Sequence, residues 1–399
     1  MTFEHLFDDT QTAFAPKTDL QLSKARLLFQ LFGVQPLVDF GAAATSLAMT
    51  LGLPISSLYK YTVYNHFCGG ETFDECKKTI KLLDSFHVGT MLNYGVELKE
   101  TDEDFETTIQ HTLEAINFAT EHHSVKSICV KLTGFGRFGL FEKIQAKEVL
   151  TKDEESEYKK IKDRLDYICK AAHKNNVVIY IDAEESWIQD PLDDLADEMM
   201  GNYNKKLAIV YNTFQLYRND RLDFLKKSFQ KAKNNNYLLG AKIVRGAYME
   251  KERERAAKLD YASPIHHSKV AVNHDYDAAI KFCLENLSDI SVCIASQSEE
   301  SNLFAVKLMN QLNIPFNHTG VIFSQLYGMG DNITFNLAKI GCNACKYLPY
   351  GPVKDVIPYL IRRAEENSSI SGQMGRELGL IVKEIKRRKK RQLPILTNL

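Results

Sequence analysis

The sequence predicts an α/β protein, a (β/α)8 barrel of the TIM type with a helical region packed ahead of it. Three observations lead there. From about residue 88 onward, short apolar runs alternate with amphipathic stretches of a dozen or more residues. The alternation repeats eight times, which is the number of units in a closed parallel barrel. A polar or charged residue also sits at or just past each apolar run, on the side where barrels keep their chemistry. Doubly wound sheets alternate as well, so the number of units separates the two architectures.

In chain order, residues 1–16 carry Glu4, Asp8 and Asp9 and no arginine, which fits neither a secretory signal nor a mitochondrial transit peptide. Residues 17–86 follow a helical period, opened by Leu20, Leu22, Ala25, Leu27, Leu28 and Leu31. Residues 40–59 hold no charge and are long enough to span a bilayer. Gly41, Gly52, Pro54 and five Ser or Thr residues dilute that stretch, so it is expected to be a buried helix ending near Gly52. The strands are expected at 90–96, 127–132, 177–181, 207–211, 240–244, 291–295, 320–323 and 344–348. Helices are expected at 104–120, 156–174, 192–201, 221–233, 276–287, 299–312, 333–339 and 352–366. Amphipathic residues 377–385 lead into a basic tail, Lys383 to Arg391, which is either a solvated helix end or an attachment to an anionic membrane surface. Three regions result: a helical region at 1–87, the barrel at 88–370, and a C-terminal helix and tail at 371–399.

With 399 residues, 44% of them apolar, the chain can bury a large core. A net charge of −1 argues against a nucleic-acid partner. The eight cysteines are scattered through apolar patterns and are expected as buried free thiols in a reducing compartment, with no metal site. Cys342 and Cys345 have CxxC spacing, but no second pair or histidine cluster accompanies them.

The stretch from Tyr347 to Asn367 carries the densest chemistry. A Pro-Tyr-Gly-Pro turn precedes a helix on which Tyr359, Arg362, Arg363 and Glu366 fall at i, i+3, i+4 and i+7. Adjacent arginines can hold a carboxylate by charge-assisted, bidentate hydrogen bonds, and the tyrosines can wall in a small apolar body. The plainer reading is a surface ion-pair helix. Polar residues at the other strand ends are Glu97, Lys131, Asp182 with Glu184, Asn212 with Gln215, Lys242 with Arg245, Ser296 with Gln297, and Gln325 with Tyr327.

Read in order, the strand-end segments are VKLTGFG (130–136), IDAEES (181–186), YNTFQLY (211–217), KIVRGAYM (242–249), FSQLYGMGD (323–331) and KYLPYGPV with PYLIRRAEEN (346–367). This set resembles the proline dehydrogenase family, and within it the single-function, eukaryotic-like branch. The resemblance implies a distorted barrel, non-covalent FAD, and oxidation of L-proline to Δ1-pyrroline-5-carboxylate by hydride transfer from C5 to flavin N5. It also implies a quinone as electron acceptor. The implied location is cytoplasmic, with peripheral attachment to the inner face of a respiratory membrane as the reading that uses the basic tail.

By the same resemblance, Arg362 and Arg363 clamp the substrate carboxylate and Lys131 adds a third positive group. Tyr347 and Tyr359 pack on the proline ring, and Tyr347 separates proline from hydroxyproline. Asp182 is a catalytic carboxylate that organises Lys131 or the flavin-side charges, and with Ala183 it contacts the cofactor. Asn212 bonds the flavin ring, and Lys242 is the cation beside flavin N5. Arg245, Gly246 and Ala247 hold the cofactor phosphates, joined by Ser296 and Gln297. Glu366 contacts the cofactor near the adenosine, and Glu97 pairs with an arginine of the last helix to gate the site.

Three departures stand out. Lys242 replaces an arginine found in many bacterial relatives, keeping the charge without the planar fork. Ser296 and Gln297 stand in the segment where the family has a His-Asn pair, and glutamine cannot carry charge. Met249 stands where some relatives stack an aromatic ring on the adenine. Two other readings stay open: hydroxyproline oxidation, and a barrel that binds a carboxylate ligand without turning it over.

Overall fold

The computed structural model describes residues 3–51, 56–95, 100–369 and 373–392, with a few side chains near 42–58 and beyond 363 left undescribed. Eight parallel strands close into a barrel in sequence order. They are β1 (Gly89–Tyr94), β2 (Val125–Val130), β3 (Val178–Ile181), β4 (Val210–Gln215), β5 (Leu239–Val244), β6 (Ile290–Ala295), β7 (Val321–Leu326) and β8 (Ala344–Tyr350). Pairing of β1 with β8, from Gly89 opposite Cys345 to Tyr94 opposite Tyr350, leaves no free edge.

Successive strand residues point to opposite sides, and the two sides are distinct here. Met91, Cys129, Tyr180, Tyr211, Cys293 and Cys345, from six of the eight strands, belong to a single buried cluster in the lumen. Their neighbours Leu92, Ile128, Ile179, Val210, Ile243 and Ile294 join the helices in the main core. Helices follow every strand. Lys152–Asn175 shows how the sequence sets their ends: Thr151 and Glu154 form a capping box, and Asn176 closes the helix at φ 53°. Helices Phe138–Gln145 and Met249–Leu259 are additions that the sequence reading did not anticipate.

Strand boundaries shift most at β4, which was expected to span 207–211. Leu207 is exposed, and the ladder to β3 begins with Val210 opposite Ile179. The ladder to β5 continues to Gln215 opposite Val244. β7 likewise runs three residues past the expected end at 323, to Leu326.

The two ends of the chain pack together. The C-terminal helix Gln373–Gln392 places Leu380 and Ile381 among Ala13, Phe14, Leu22, Ala25 and Phe29. Beneath it, Asp331 accepts from Lys17 at 3.1 Å and from Lys346 at 2.8 Å, and Glu377 accepts from the Gly330 amide at 2.9 Å. Part of the basic tail is thereby engaged within the chain. Arg387 and Arg388 pair with the buried Glu384, and Lys383 donates to the Asp8 carbonyl. All eight cysteines are buried free thiols.

The uncharged stretch begins within the helix Gln35–Thr50, and the expectation that it is buried is corrected at its start: Phe40 is exposed, while Thr45 faces inward. Among the described residues no helix is long and apolar enough to cross a membrane.

Candidate active site

At the C-terminal mouth of the barrel, three lumen residues from three strands form one bonded unit. Asp182 follows β3, Lys242 lies in β5 and Tyr347 in β8. The Lys242 ammonium donates to Asp182 Oδ1 at 2.6 Å, and the Tyr347 hydroxyl donates to Asp182 Oδ2 at 2.9 Å. The Lys242 ammonium also stands 5.1 Å from the Tyr347 ring centre and 5.6 Å from that of Tyr180. Burial works against the lysine's charge, but the Asp182 carboxylate outweighs it, and the ammonium is held above its ordinary pKa. Burial, then the Asp182 charge, pushes the Tyr347 phenol upward, so it stays a neutral donor. Of the two roles expected for Asp182, the structure shows pairing with Lys242.

A second group lies beside this one. Lys131, just past β2, faces Glu184, whose carboxylate grips the turn after Lys131: Thr133 donates its backbone N–H at 3.1 Å and its hydroxyl at 2.6 Å. Burial pushes the Glu184 carboxyl up to about 7, against the opposing pull of Lys131. Lys131 and Arg362 both act on the Tyr248 phenol, which burial drives up to about 12. Arg362 comes from the helix Val353–Ser369, which also supplies Tyr359 and Arg363. The Arg363 guanidinium sits 5.1 Å from the Tyr359 ring centre, and both side chains are buried. Tyr359 in turn lies close enough to Tyr347 to raise its pKa. One rigid helix therefore brings two guanidinium groups and a ring to the mouth of the lumen. Lys131, Tyr347, Tyr359, Arg362 and Arg363 are brought together, and Tyr248 and Glu184 join them without having been assigned a role.

A third group is shaped for an anion. Arg245 follows β5 and reaches across to β6, donating to Ser296 Oγ at 2.6 Å and to Ser301 Oγ at 2.8 Å. It also donates to Asn273 Oδ1 and stacks 4.3 Å from the Tyr276 ring centre. Ser301 belongs to the first turn of Glu299–Gln311, capped by Ser298, so N–H groups and a guanidinium converge there. Gly246 has φ +139°, and a Cβ on it would come within 2.5 Å of the Tyr217 ring, which restricts the position to glycine. Ala247 follows it, as Ala183 follows Asp182. Gln297 lies against Gly330, where an added Cβ would meet its Oε1 at 2.3 Å. This donor set suits a pyrophosphate, so the residues fit the phosphates of a dinucleotide cofactor.

Asn212 requires a correction. Val210 and Phe214 belong to the helix-side core and Tyr211 to the lumen cluster, so Asn212 faces the helices. Its amide donates to Asp193 Oδ1 at 2.9 Å, and Asp193 is paired to Arg221 at 2.6 Å. The lumen-side amide at the end of β4 is Gln215, whose Nε2 donates to the Glu184 carbonyl at 2.7 Å. Counting by twos from Tyr211 would have found it. Glu97 and the side chain of Glu366 lie outside the described residues.

Comparison with known proteins bears on the family and the fold. The proline dehydrogenase family profile matches residues 76–376. The mitochondrial proline dehydrogenase 1 of Dictyostelium discoideum is 30% identical, over 95% of this chain and 74% of that protein. The carbapenem antibiotics biosynthesis protein CarD of Pectobacterium carotovorum is 31% identical, over 81% of this chain and 83% of that one. The crystal structure of proline utilization A from Bdellovibrio bacteriovorus superposes with a TM-score of 0.71 at 18% identity, covering 93% of this chain and 40% of that one. That last likeness shows the fold: a barrel with its helical surround. With its fold, its strand-end residues and a profile spanning most of its length in agreement, the chain belongs to the proline dehydrogenase family.

Proposed function

We propose that the protein oxidises L-proline to Δ1-pyrroline-5-carboxylate, with FAD as cofactor and a quinone as electron acceptor. The observation that carries the reading is the meeting, at the mouth of one lumen, of the Asp182–Lys242–Tyr347 unit with the Tyr359, Arg362 and Arg363 helix. Proline offers a carboxylate, an amine and a small apolar ring, and these groups match them in kind.

Arg362, Arg363 and Lys131 hold the carboxylate; Tyr347 and Tyr359 bracket the ring. Because Tyr359 and both arginines share one helix, clamp and wall keep a fixed separation. That orientation brings C5 to the electron acceptor and supplies much of the barrier reduction. Lys242 keeps a fixed positive charge where electron density arrives. Asp182 holds that ammonium and, through its other oxygen, the Tyr347 ring. Arg245, Ser296 and the first turn of Glu299–Gln311 hold the cofactor's phosphates. When bound, the flavin supplies the two-electron acceptance that no side chain provides.

The test is direct. Purified protein should be yellow, and anaerobic L-proline should bleach its visible flavin absorption. Colourless protein that stays inert with added FAD, L-proline and an artificial quinone would sink the proposal. Trans-4-hydroxy-L-proline is the control substrate, since a Tyr347 ring packed on proline would leave little room for an added hydroxyl. Tyr347→Ser should shift preference toward it.

A further inference from the structure

The proposed chemistry leaves unused one buried ring that lies against its cation. Tyr180 is in β3, two residues before Asp182, so it points into the lumen on the same side and one step deeper. Its side chain is fully buried. The thiols of Cys129, Cys293 and Cys345 lie around it, and the Tyr211 ring packs 4.7 Å away, tilted by 50°. Such packing holds a ring in one orientation. The Lys242 ammonium stands 5.6 Å from the centre of this ring and 5.1 Å from that of Tyr347. Both distances are within the range at which a cation is drawn to an aromatic face.

A lysine at this position needs such neighbours. Its charge is compact, sits on a flexible four-carbon stem, and has no planar fork to set its direction. The ammonium carries three donors, and among the described residues Lys242 makes its hydrogen bond to Asp182, at 2.6 Å. One bond fixes a distance but leaves the ammonium free to swing about it. The other titratable groups that act on Lys242 are the Cys129 and Cys293 thiols, and burial keeps both neutral by pushing them upward. The two rings, one from β3 and one from β8, are therefore the second source of attraction. They stand where they remove the freedom that the Asp182 bond leaves.

We propose that Tyr180 is a positioning residue: with Tyr347 it forms a two-sided aromatic cage that keeps the Lys242 ammonium in one place, at the point where electron density arrives. The effect on the flavin rests on the proposed oxidation; the cage itself does not. Having no exposed surface, Tyr180 reaches a substrate only through Lys242 and its partners. Its loss is therefore felt in the position of a charge, not in the binding of proline.

Two measurements on the purified protein test this. The first is independent of turnover. Tyr180→Leu is introduced into the parent and into Asp182→Asn/Lys242→Met, which lacks the ammonium, and all four proteins are unfolded chemically. Lost ring volume acts in both backgrounds, whereas a lost cage acts only where the ammonium is present. The unfolding constant should change at least about tenfold more in the parent background. The second reads the charge at the flavin through sulfite, which adds to flavin N5 and leaves an anionic adduct that a nearby fixed cation tightens. Sulfite affinity should fall at least about tenfold in Tyr180→Leu and stay within about twofold of the parent in Tyr180→Phe, which keeps the ring. Trifluorophenylalanine at position 180 nearly keeps the phenylalanine volume but removes the negative face of the ring, and should weaken sulfite relative to Tyr180→Phe; this pair carries the test if Tyr180→Leu does not fold. With L-proline, Tyr180→Leu should lower kcat while KM moves less than about threefold. Equal unfolding changes in the two backgrounds would overturn the proposal, as would sulfite affinity that ignores fluorination, or a KM that rises in step with the fall in kcat. A colourless parent would count against the proposed oxidation, and the unfolding comparison would then decide the cage.

Discussion

Asp182 uses its two oxygens for two purposes, and both can be separated by substitution. One oxygen neutralises a buried ammonium; the other fixes a ring hydroxyl. Asp182→Asn keeps the shape and removes the charge, leaving Lys242 buried beside a neutral amide. Breaking a buried ion pair from one side costs about 3–5 kcal/mol. Chemical denaturation should show a loss of that order, and Asp182→Asn/Lys242→Met should recover most of it. Equal stability of parent and single variant would mean that the pair is not closed in solution. At the arginines the expected readout is kinetic. Arg362→Met removes a charge-assisted bond to the carboxylate, worth about 1.5–3 kcal/mol. Proline KM should therefore rise roughly 10- to 150-fold with flavin content unchanged; flavin loss at an unchanged KM would move Arg362 to the cofactor side. Glu184 gives the pH dependence. Its pKa of about 7 means that it ionises as pH rises through neutrality, adding negative charge beside Lys131. Proline binding should weaken over that interval, and Glu184→Gln should remove the inflection from the pH profile of KM.

The elements explain why some of this chemistry was visible in the sequence and some was not. β8 and its helix were legible because Pro352 and the apolar spacing of Val353, Val356, Ile357 and Leu360 mark a helix start, and the arginines fall one turn beyond Tyr359. β4 was not. Its outward side reads Val210, Asn212, Phe214 and its inward side Tyr211, Thr213, Gln215, so a buried polar residue on each face breaks the apolar run. The apparent strand end then fell at Tyr211, and Asn212 seemed to stand at the mouth of the barrel instead of Gln215. The uncharged stretch 40–59 failed in the opposite sense: it looked buried, while Phe40 at its start stands exposed. Composition carries no information on which face a neighbour will cover. At the C-terminal helix, burial raises the Glu377 carboxyl from 4.5 to about 7, beside Asp331, although the Gly330 amide donates to it. The folded protein thus binds a proton there that the unfolded chain has released, and stability falls as pH rises from about 4.5 to 7. Glu377→Gln keeps an acceptor for Gly330 and removes this loss. Its stability relative to the parent should grow across that interval, by up to about 3 kcal/mol, and be level above it. A difference that does not vary with pH would show that folding leaves the Glu377 pKa unshifted.

At the scale of the whole molecule, closure of the barrel turns eight separate strand ends into one site. Asp182, Lys242 and Tyr347 are up to 165 residues apart in sequence and within hydrogen-bonding distance of one carboxylate. The terminal helices complete the structure from behind. Lys17 from the N-terminal region and Lys346 from β8 meet on Asp331, and the C-terminal helix lies over them. The helix Val353–Ser369 is backed by the N-terminal helices through Phe32, Val38 and Tyr64 against Val356 and Leu360, so the position of its arginines depends on residues far outside the barrel. The central claim is that this assembly oxidises L-proline through a bound flavin, with Tyr347 selecting the ring. It is tested most directly by steady-state turnover of L-proline and trans-4-hydroxy-L-proline with an artificial quinone, in the parent and in Tyr347→Ser. The account predicts a flavin-containing parent that prefers L-proline and a variant whose preference shifts toward the hydroxylated substrate. A parent that binds flavin but turns over neither substrate, or one that prefers hydroxyproline, would contradict it.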